Sequence, residues 1–174
     1  MRWLWIDRFT HFESGKSARA VKSLSLAEDF FADHFPEYPV MPAALILEGM
    51  AQTGGILVGQ ANEFLEKVVL AKIAKGVFHR EALAGEVLTY VADIQNLRPE
   101  GASVFVRAYA GDEELIAEAE IFFAHLGQTR SQQIFGEQNF VFSGEFRQLF
   151  LRGLALMNPQ KEGRQTERSG ENTA

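Results

Sequence analysis

The sequence predicts an α+β fold in which an antiparallel sheet covers one long helix. A helix-like run extends from about residue 43 to residue 66. Four segments rich in β-branched or aromatic residues follow it, at 68–78, 86–97, 102–110 and 114–124. One helix followed by a strand meander favours a helix packed against an antiparallel sheet.

Two further strands are expected before the helix. Residues 16–26 alternate small or apolar residues with polar ones, as a half-buried strand does. The turn-like sequence ESGK at 13–16 precedes them. We therefore expect the apolar run 4–9 to pair with this strand as a hairpin. Residues 27–35 are interpreted as a short irregular or helical piece.

The 174 residues are expected to divide into three parts. Residues 1–127 are predicted to form one compact domain, because the length and the 47% hydrophobic content suit a single folded core. Residues 128–157 are a C-terminal extension, in which the apolar stretch 139–157 favours an amphipathic helix packed on the domain or on a partner subunit. Residues 158–174 are polar and charged and are expected to be disordered.

Charge and composition exclude several classes of function. The formal net charge of −6 argues against a general nucleic-acid binder, which is usually basic. The chain has no cysteine, so disulfides and thiolate catalysis are impossible. The apolar N-terminus is too short for a secretory signal, and the run 43–58 is too short and too interrupted to span a membrane. These features predict a cytoplasmic protein that does not bind membranes.

The central helix contains an unusual number of glycines. Gly49, Gly54, Gly55 and Gly59 each cost about 1 kcal/mol relative to alanine in a helix interior. Ala51 and two of these glycines, at 55 and 59, lie four residues apart and share one face. Such a small-residue face lets another backbone come close, which offsets the cost. The alternative is a break between the two adjacent glycines.

Two polar residues on this helix point to acid–base chemistry. Glu48 and Gln52 are four residues apart, so they share a face, and apolar residues surround both. A partly desolvated carboxyl is favoured in its protonated form and suits a general acid. Pro42 suits the first helical position. His34 precedes Glu48 by fourteen residues, with three prolines between them, and the spacing alone equally permits a structural histidine.

The stretch HFPEYPVMPAALILEGMAQTGG, residues 34–55, resembles the signature of FabZ-type 3-hydroxyacyl-acyl-carrier-protein dehydratases of the hotdog-fold superfamily. In that family the pattern runs HFPG-x-P-x-MPG, then aliphatic residues, then E-A-x-AQ. The matching positions are His34, Phe35, Pro36, Pro39, Met41, Pro42, Glu48, Ala51 and Gln52. The flanking stretches are similar to the opening and closing strands of the family, so the resemblance covers about residues 4–125.

The resemblance implies a hotdog fold, in which a curved antiparallel sheet wraps a long helix. It implies dehydration of (3R)-hydroxyacyl thioesters on acyl carrier protein to trans-2-enoyl thioesters, in fatty-acid or related acyl or polyketide biosynthesis. His34 of one subunit would be the base and Glu48 of the other the acid, in a homodimer or a trimer of such dimers. Neither a metal nor a redox cofactor is implied.

The resemblance and the sequence also indicate binding residues. The backbone N–H groups just after Pro42 lie at a helix N-terminus, where they suit the thioester oxygen. The expected substrate-binding set is Met41, Pro42, Ala43, Ala44, Gln52 and Phe78, although Phe78 also fits a core position. The basic residues Lys72, Lys75 and Arg80 are candidates for docking an acidic carrier protein, with a solvated strand surface as the alternative.

Two residues depart from the family pattern. Glu37 and Ala43 stand where the family has glycine. A carboxylate at Glu37 close to His34 would stabilise the protonated ring and weaken it as a base, unless it is a solvated loop residue. Ala43 is harmless if its φ is negative. These departures leave open a dehydratase for an unusual acyl chain, a hotdog thioesterase in which Glu48 activates water, and a non-catalytic acyl- or carrier-binding subunit.

Overall fold

The computed structural model describes residues 4–35, 37–111, 113–127 and 151. In chain order the elements are β1 (Arg8–Glu13), β2 (Ser17–Ser23), α1 (Asp29–Asp33), β3 (Val40–Met41), α2 (Ala43–Ala61), β4 (Lys67–Phe78), β5 (Ala82–Leu83), β6 (Val87–Arg98), β7 (Gly101–Ala110) and β8 (Glu114–Leu126). Six strands form an antiparallel sheet in the order β1-β2-β6-β7-β8-β4, and β3 pairs with β5. The predicted α+β class is confirmed. The predictions for 128–157 and 158–174 concern residues outside the described ranges, apart from residue 151.

Helix α2 lies against one face of the sheet and contacts β2, β4, β6, β7 and β8. Side chains alternate between the two faces of a strand, so every second residue can point toward the helix. In β7 every second residue from Ala102 to Ala110 is buried, and in β6 Leu88, Tyr90 and Ala92 are buried in the same way. The core of the domain therefore lies between α2 and the concave side of the sheet.

Aromatic rings of the sheet explain the glycines of α2. The helix runs without a break through its two adjacent glycines, so the continuous helix is confirmed. A methyl group on Gly49 would overlap the ring of Tyr90, and methyl groups on Gly54 and Gly55 would lie 3.2 Å and 3.3 Å from the ring of Phe123. The predicted close packing is present, but the neighbours are side-chain rings, and the expectation of a neighbouring backbone was wrong.

The first strand begins later than predicted. It is Arg8–Glu13 and not 4–9, because the turn at 14–16 reverses the chain directly after Glu13 and places Arg8 opposite Val21. Asp7 still bonds to β2, since its N–H donates to the carbonyl of Val21 at 2.7 Å, and the chain leaves the hairpin before Asp7. There the backbone N–H of Trp5 donates a hydrogen bond to the side chain of Gln52, which ties the start of the chain to α2.

Helix α2 also ends earlier than predicted, at Ala61 and not at residue 66. Glu63 and Phe64 follow with φ values of 51° and 58°. Non-glycine residues rarely adopt this left-handed region, so the sequence carries no signal for such a turn. None of the described helices is long and apolar enough to cross a membrane.

Strand β4 forms one edge of the six-stranded sheet. It pairs with β8 on one side, and no described strand pairs with its other side. All residues from Leu70 to Gly76 are exposed, including the apolar Ile73. A strand of twelve residues with one open edge can accept another strand.

Candidate active site

His34 is the residue at which α1 ends. Its backbone N–H donates to the carbonyl of Phe30 at 2.9 Å, and its ring lies 4.3 Å from that of Phe35, centroid to centroid. Phe35 has a φ of 50°, and its carbonyl accepts a hydrogen bond from the N–H of Tyr38 at 2.7 Å, which closes a turn. His34 is half-buried, so its ring is held yet accessible. Glu37 is exposed within the turn, as the solvated-loop alternative predicted.

Strand β3 leads the chain into α2. Met41 is buried and lies opposite Ala82 of β5. Pro42 precedes the helix as its N-cap, with φ −53° and ψ 133°, so its prediction as the first helical residue was wrong. The Pro42 carbonyl accepts hydrogen bonds from the N–H groups of Leu45 at 2.8 Å and Ile46 at 3.2 Å.

The N–H groups of Ala43 and Ala44, which we call the helix-start amides, have no backbone acceptor among the described residues. Both residues are exposed. Ala43 is helical and its φ is negative, so its methyl group causes no backbone strain and glycine is not required there. The amides lie at the positive end of the helix dipole, where they suit an oxygen that gains negative charge.

Gln52 holds the carboxyl group of Glu48. The amide Nε2 of Gln52 donates to Oε1 of Glu48 at 3.0 Å, and Oε1 of Gln52 accepts from the N–H of Trp5 at 2.9 Å. Gln52 is only 2% exposed. Because Trp5 supplies a donor, it fixes the orientation of the amide and turns the NH₂ group toward Glu48. The sequence predicted Gln52 but gave no signal for the role of Trp5.

An apolar groove, the α2 groove, begins at Glu48 and follows α2 toward its C-terminal end. Its floor is the small-residue face formed by Ala51, Gly55 and Gly59, and Phe123 of β8 lines one wall. The start of β4, from Lys67 to Leu70, lines it further along. The cavity measures about 120 Å³. The small-residue face therefore forms the floor of a groove, which the sequence did not predict.

Comparison with known proteins places the chain in a family. Residues 1–120 match the family model described as a FabA-like domain. The chain belongs to the FabA-like family. The 3-hydroxyacyl-[acyl-carrier-protein] dehydratase FabZ of Desulforamulus reducens is 39% identical over 127 residues, which cover 72% of this chain and 88% of that protein. The FabZ of Clostridioides difficile is 39% identical over 123 residues, covering 70% and 86%.

Solved structures show the same fold. A thioesterase-superfamily member from Thermus thermophilus superposes with a TM-score of 0.59 at 17% identity, covering 72% of this chain and 91% of that one. A Streptococcus mutans protein bound to acetyl CoA gives a TM-score of 0.56 at 14% identity, covering 69% and 88%. At these identities the likeness concerns the fold alone, and the predicted hotdog fold is confirmed.

Three residues that resemble the FabA-like family pattern lie outside the α2 groove. Glu48, the predicted acid, lines the groove, whereas His34, the predicted base, is not among the described residues that line it. Met41, in the strand that pairs with β5, is buried and does not line the groove either. Phe78, at the end of β4, is 41% exposed, so its alternative reading as a core residue was wrong. As substrate-binding residues, Met41 and Phe78 stay predictions.

The predicted docking residues of this FabA-like protein divide into exposed and paired cations. Lys72 and Lys75 are exposed on β4. Arg80 donates to Glu114 at 2.8 Å and to both carboxylate oxygens of Glu86 at 2.8 Å and 3.1 Å, and these bonds raise its pKa. Burial alone would raise the pKa of Glu86, but the hydrogen bonds from Arg80 and a backbone N–H bring it below its ordinary 4.5. Two carboxylates therefore already compensate the charge of Arg80.

Proposed function

We propose that this protein is a 3-hydroxyacyl-[acyl-carrier-protein] dehydratase. The observation that carries the proposal is the position of the Glu48 carboxyl group, which buried Gln52 holds at one end of an apolar groove. The helix-start amides belong to the same helix as Glu48. A groove of this kind suits a hydrocarbon chain whose reacting carbons lie beside an acid. Relatives of that name share about two fifths of their residues with this chain over more than two thirds of its length. The cytoplasmic location stays a prediction.

The reaction needs one base, one acid and one anion-stabilising group. The neutral ring of His34 removes the proton from C2, and the thioester oxygen takes up negative charge, which the helix-start amides stabilise. Glu48 donates its proton to the C3 hydroxyl as the C3–O bond breaks. The electron pair of the C2–H bond forms the C2=C3 double bond, and water leaves. His34 then carries a proton that Glu48 has lost, and transfer through solvent restores both.

The complete site in this proposal lies between two subunits. The α2 groove borders β4, whose open edge and exposed Leu70 and Ile73 suit pairing with the β4 of a second copy. Such a pairing extends the sheet across a homodimer and covers apolar side chains that the single chain leaves in water. The partner would then supply His34 to the groove that holds Glu48. A trimer of such dimers is compatible with this arrangement.

Lys72 and Lys75 are the proposed docking residues for the acidic carrier protein, whereas Arg80 contributes little, because its charge is already paired. Replacing both lysines by Glu is expected to raise KM several-fold for carrier-linked substrate and to weaken its dependence on salt. Because both lysines lie in the strand proposed to pair across the dimer, turnover of the same acyl group on pantetheine alone is the control for an intact dimer, and it is expected to stay unchanged. Steady-state kinetics with both substrates measures the difference. An equal KM for carrier-linked substrate in both proteins would exclude these lysines from docking.

Gln52 is predicted to position Glu48. Replacing Gln52 by Leu is expected to lower kcat by about tenfold to a hundredfold, because Glu48 loses the hydrogen bond that orients it. The N–H of Trp5 also loses its acceptor, which costs about 1–3 kcal/mol in the free energy of unfolding. Gln52→Glu keeps an acceptor for Trp5 but buries a second carboxyl group beside Glu48, which is expected to reduce both activity and stability. Equal kcat in all three proteins would contradict the positioning role.

The function itself is tested by incubating the full chain with 3-hydroxyacyl carrier protein and following the ultraviolet absorbance of the enoyl product. The expected result is the trans-2-enoyl thioester with no free thiol. Release of free thiol without enoyl product would indicate the thioesterase alternative, with Glu48 activating water. Binding of the acyl carrier without any turnover would indicate the non-catalytic subunit. Either of these results would overturn the proposal.

A further inference from the structure

The α2 groove ends at Phe64, which lies in a turn of uncommon backbone conformation. Glu63 and Phe64 both have left-handed φ values, although neither is glycine. The N–H of Phe64 donates to the carbonyl of Gly59 at 2.8 Å, and the N–H of Leu65 donates to the carbonyl of Asn62 at 2.9 Å. This tight turn directs the ring of Phe64 back onto the last turn of α2.

The ring of Phe64 rests on the helix at a point where α2 has no side chain. A methyl group on Gly59 would lie 3.1 Å from Cδ1 and 3.2 Å from Cε1 of that ring. Gly59 and Phe64 both line the α2 groove. Since the ring lies against the helix backbone, it occupies the space that the small-residue floor would otherwise leave open at this end.

A polar cluster lies beside this end of the groove. Glu66 also lines the groove, and its Oε2 accepts a hydrogen bond from Nδ2 of Asn62 at 3.1 Å. The same oxygen lies 3.6 Å from Nδ1 of His125. A hydrocarbon end pushed against these polar groups would remove their water without replacing its hydrogen bonds, which is unfavourable. The ring and the polar cluster therefore both oppose a longer apolar chain.

The helix gives the groove a definite length. Glu48 and Gly59 are eleven residues apart, which is about 16 Å along the helix axis. An extended chain advances about 1.2 Å for each main-chain bond. The distance from Glu48 to Gly59 therefore sets an upper bound of roughly 13 bonds beyond the carbon that lies beside Glu48.

We propose that Phe64 is a specificity-determining residue that sets the longest acyl chain this protein accepts. The inference rests on the proposed function, since it takes the chain of a 3-hydroxyacyl thioester as the occupant of the α2 groove. Glu48, where the chemistry takes place, and Phe64 lie at opposite ends of the groove. A change at Phe64 is therefore expected to alter kcat/KM for chains that reach the far end of the groove more than for shorter chains.

The test measures kcat/KM for a series of saturated 3-hydroxyacyl carrier substrates that lengthens in two-carbon steps. In the wild type kcat/KM is expected to fall sharply at one chain length. In Phe64→Ala the fall is expected at least one step later, so that the first chain rejected by the wild type gains about tenfold or more in kcat/KM. For chains shorter than the limit, kcat/KM is expected to change by less than this factor.

Two further variants keep the test informative. Leu65→Ala is the matched control, because Leu65 is the next residue, is 71% exposed and does not line the groove. It is expected to keep the wild-type limit. Phe64→Leu retains an apolar side chain of intermediate size, so it reports on the limit even if Phe64→Ala does not fold. Its limit is expected between those of the wild type and Phe64→Ala.

Calorimetry with saturated acyl-pantetheine thioesters, which carry no hydroxyl to eliminate, measures how affinity depends on chain length without any turnover. The wild type is expected to lose affinity above the same chain length, and Phe64→Ala to bind the next longer chain. If no chain is dehydrated but binding shows this shift, the proposed function fails and the groove assignment stands. If folded Phe64→Ala and Phe64→Leu keep the wild-type limit in both assays, the role of Phe64 is overturned.

Discussion

Replacing Glu48 by Gln, or His34 by Ala, is expected to lower kcat/KM by about 10²- to 10⁴-fold, the range for loss of one general acid or base. Gln has the shape of Glu but cannot donate a proton to the leaving hydroxyl. Alanine at 34 leaves the C2 proton without an acceptor. Both side chains are only half-buried, so the melting temperature of each variant is expected to stay near that of the wild type.

Enoyl formation at saturating and at limiting substrate separates the effects on kcat and KM. Glu37→Gln is the matched control, because Glu37 is an exposed residue in the turn that follows His34. It is expected to retain wild-type kinetics, which would also show that the Glu37 carboxylate does not weaken His34 as a base. Full activity in both Glu48→Gln and His34→Ala would rule out the proposed pair.

Replacing Gly49 by Ala is expected to destabilise the domain by about 1–3 kcal/mol, the cost of overpacking a core. In most helix interiors the same change stabilises by about 1 kcal/mol, so the predicted sign is opposite to helix propensity. The reason is the Tyr90 ring, which lies in the core and occupies the place of the new methyl group. Thermal or urea unfolding of both proteins measures the difference.

Tyr90→Phe is the companion variant. The Tyr90 hydroxyl is buried and has no hydrogen-bond partner among the described residues, and burial raises its pKa. Removing a buried hydroxyl without a partner is expected to leave stability unchanged or to increase it. A marked loss of stability in Tyr90→Phe would reveal a partner for the hydroxyl. An increase in stability in Gly49→Ala would contradict the packing at this position.

The sequence predicted the elements that have strong periodic or turn signals. The four strands predicted after the helix lie within two residues of their predicted ends, because they are rich in β-branched or aromatic residues and the turn-like sequences RPEG at 98–101 and GDE at 111–113 separate the last three. The end of α2 was missed, because Glu63 and Phe64 adopt left-handed conformations that their residue types do not signal. The pairing of β3 with β5 was missed as well, since each strand has only two residues.

The sequence grouped two residues of the candidate site correctly but did not predict the shape of the site. Glu48 and Gln52 were grouped by helical spacing, and the structure joins them by a hydrogen bond. Trp5 could not be predicted as part of the site, because its contribution is a backbone N–H from a distant segment. The small-residue face was recognised, but its partners, Phe64 and Phe123, come from other elements, and only the fold brings them to the helix.

The central claim is that His34 of one subunit and Glu48 of the other form one active site, and mixing two inactive variants tests it. Equal amounts of His34→Ala and Glu48→Gln are unfolded together and refolded, and enoyl formation is measured. Random pairing gives heterodimers in which one of two sites has both intact residues, so roughly a quarter of wild-type activity is expected to return. A mixture as inactive as its two parents would show that the two residues do not complete a site across subunits.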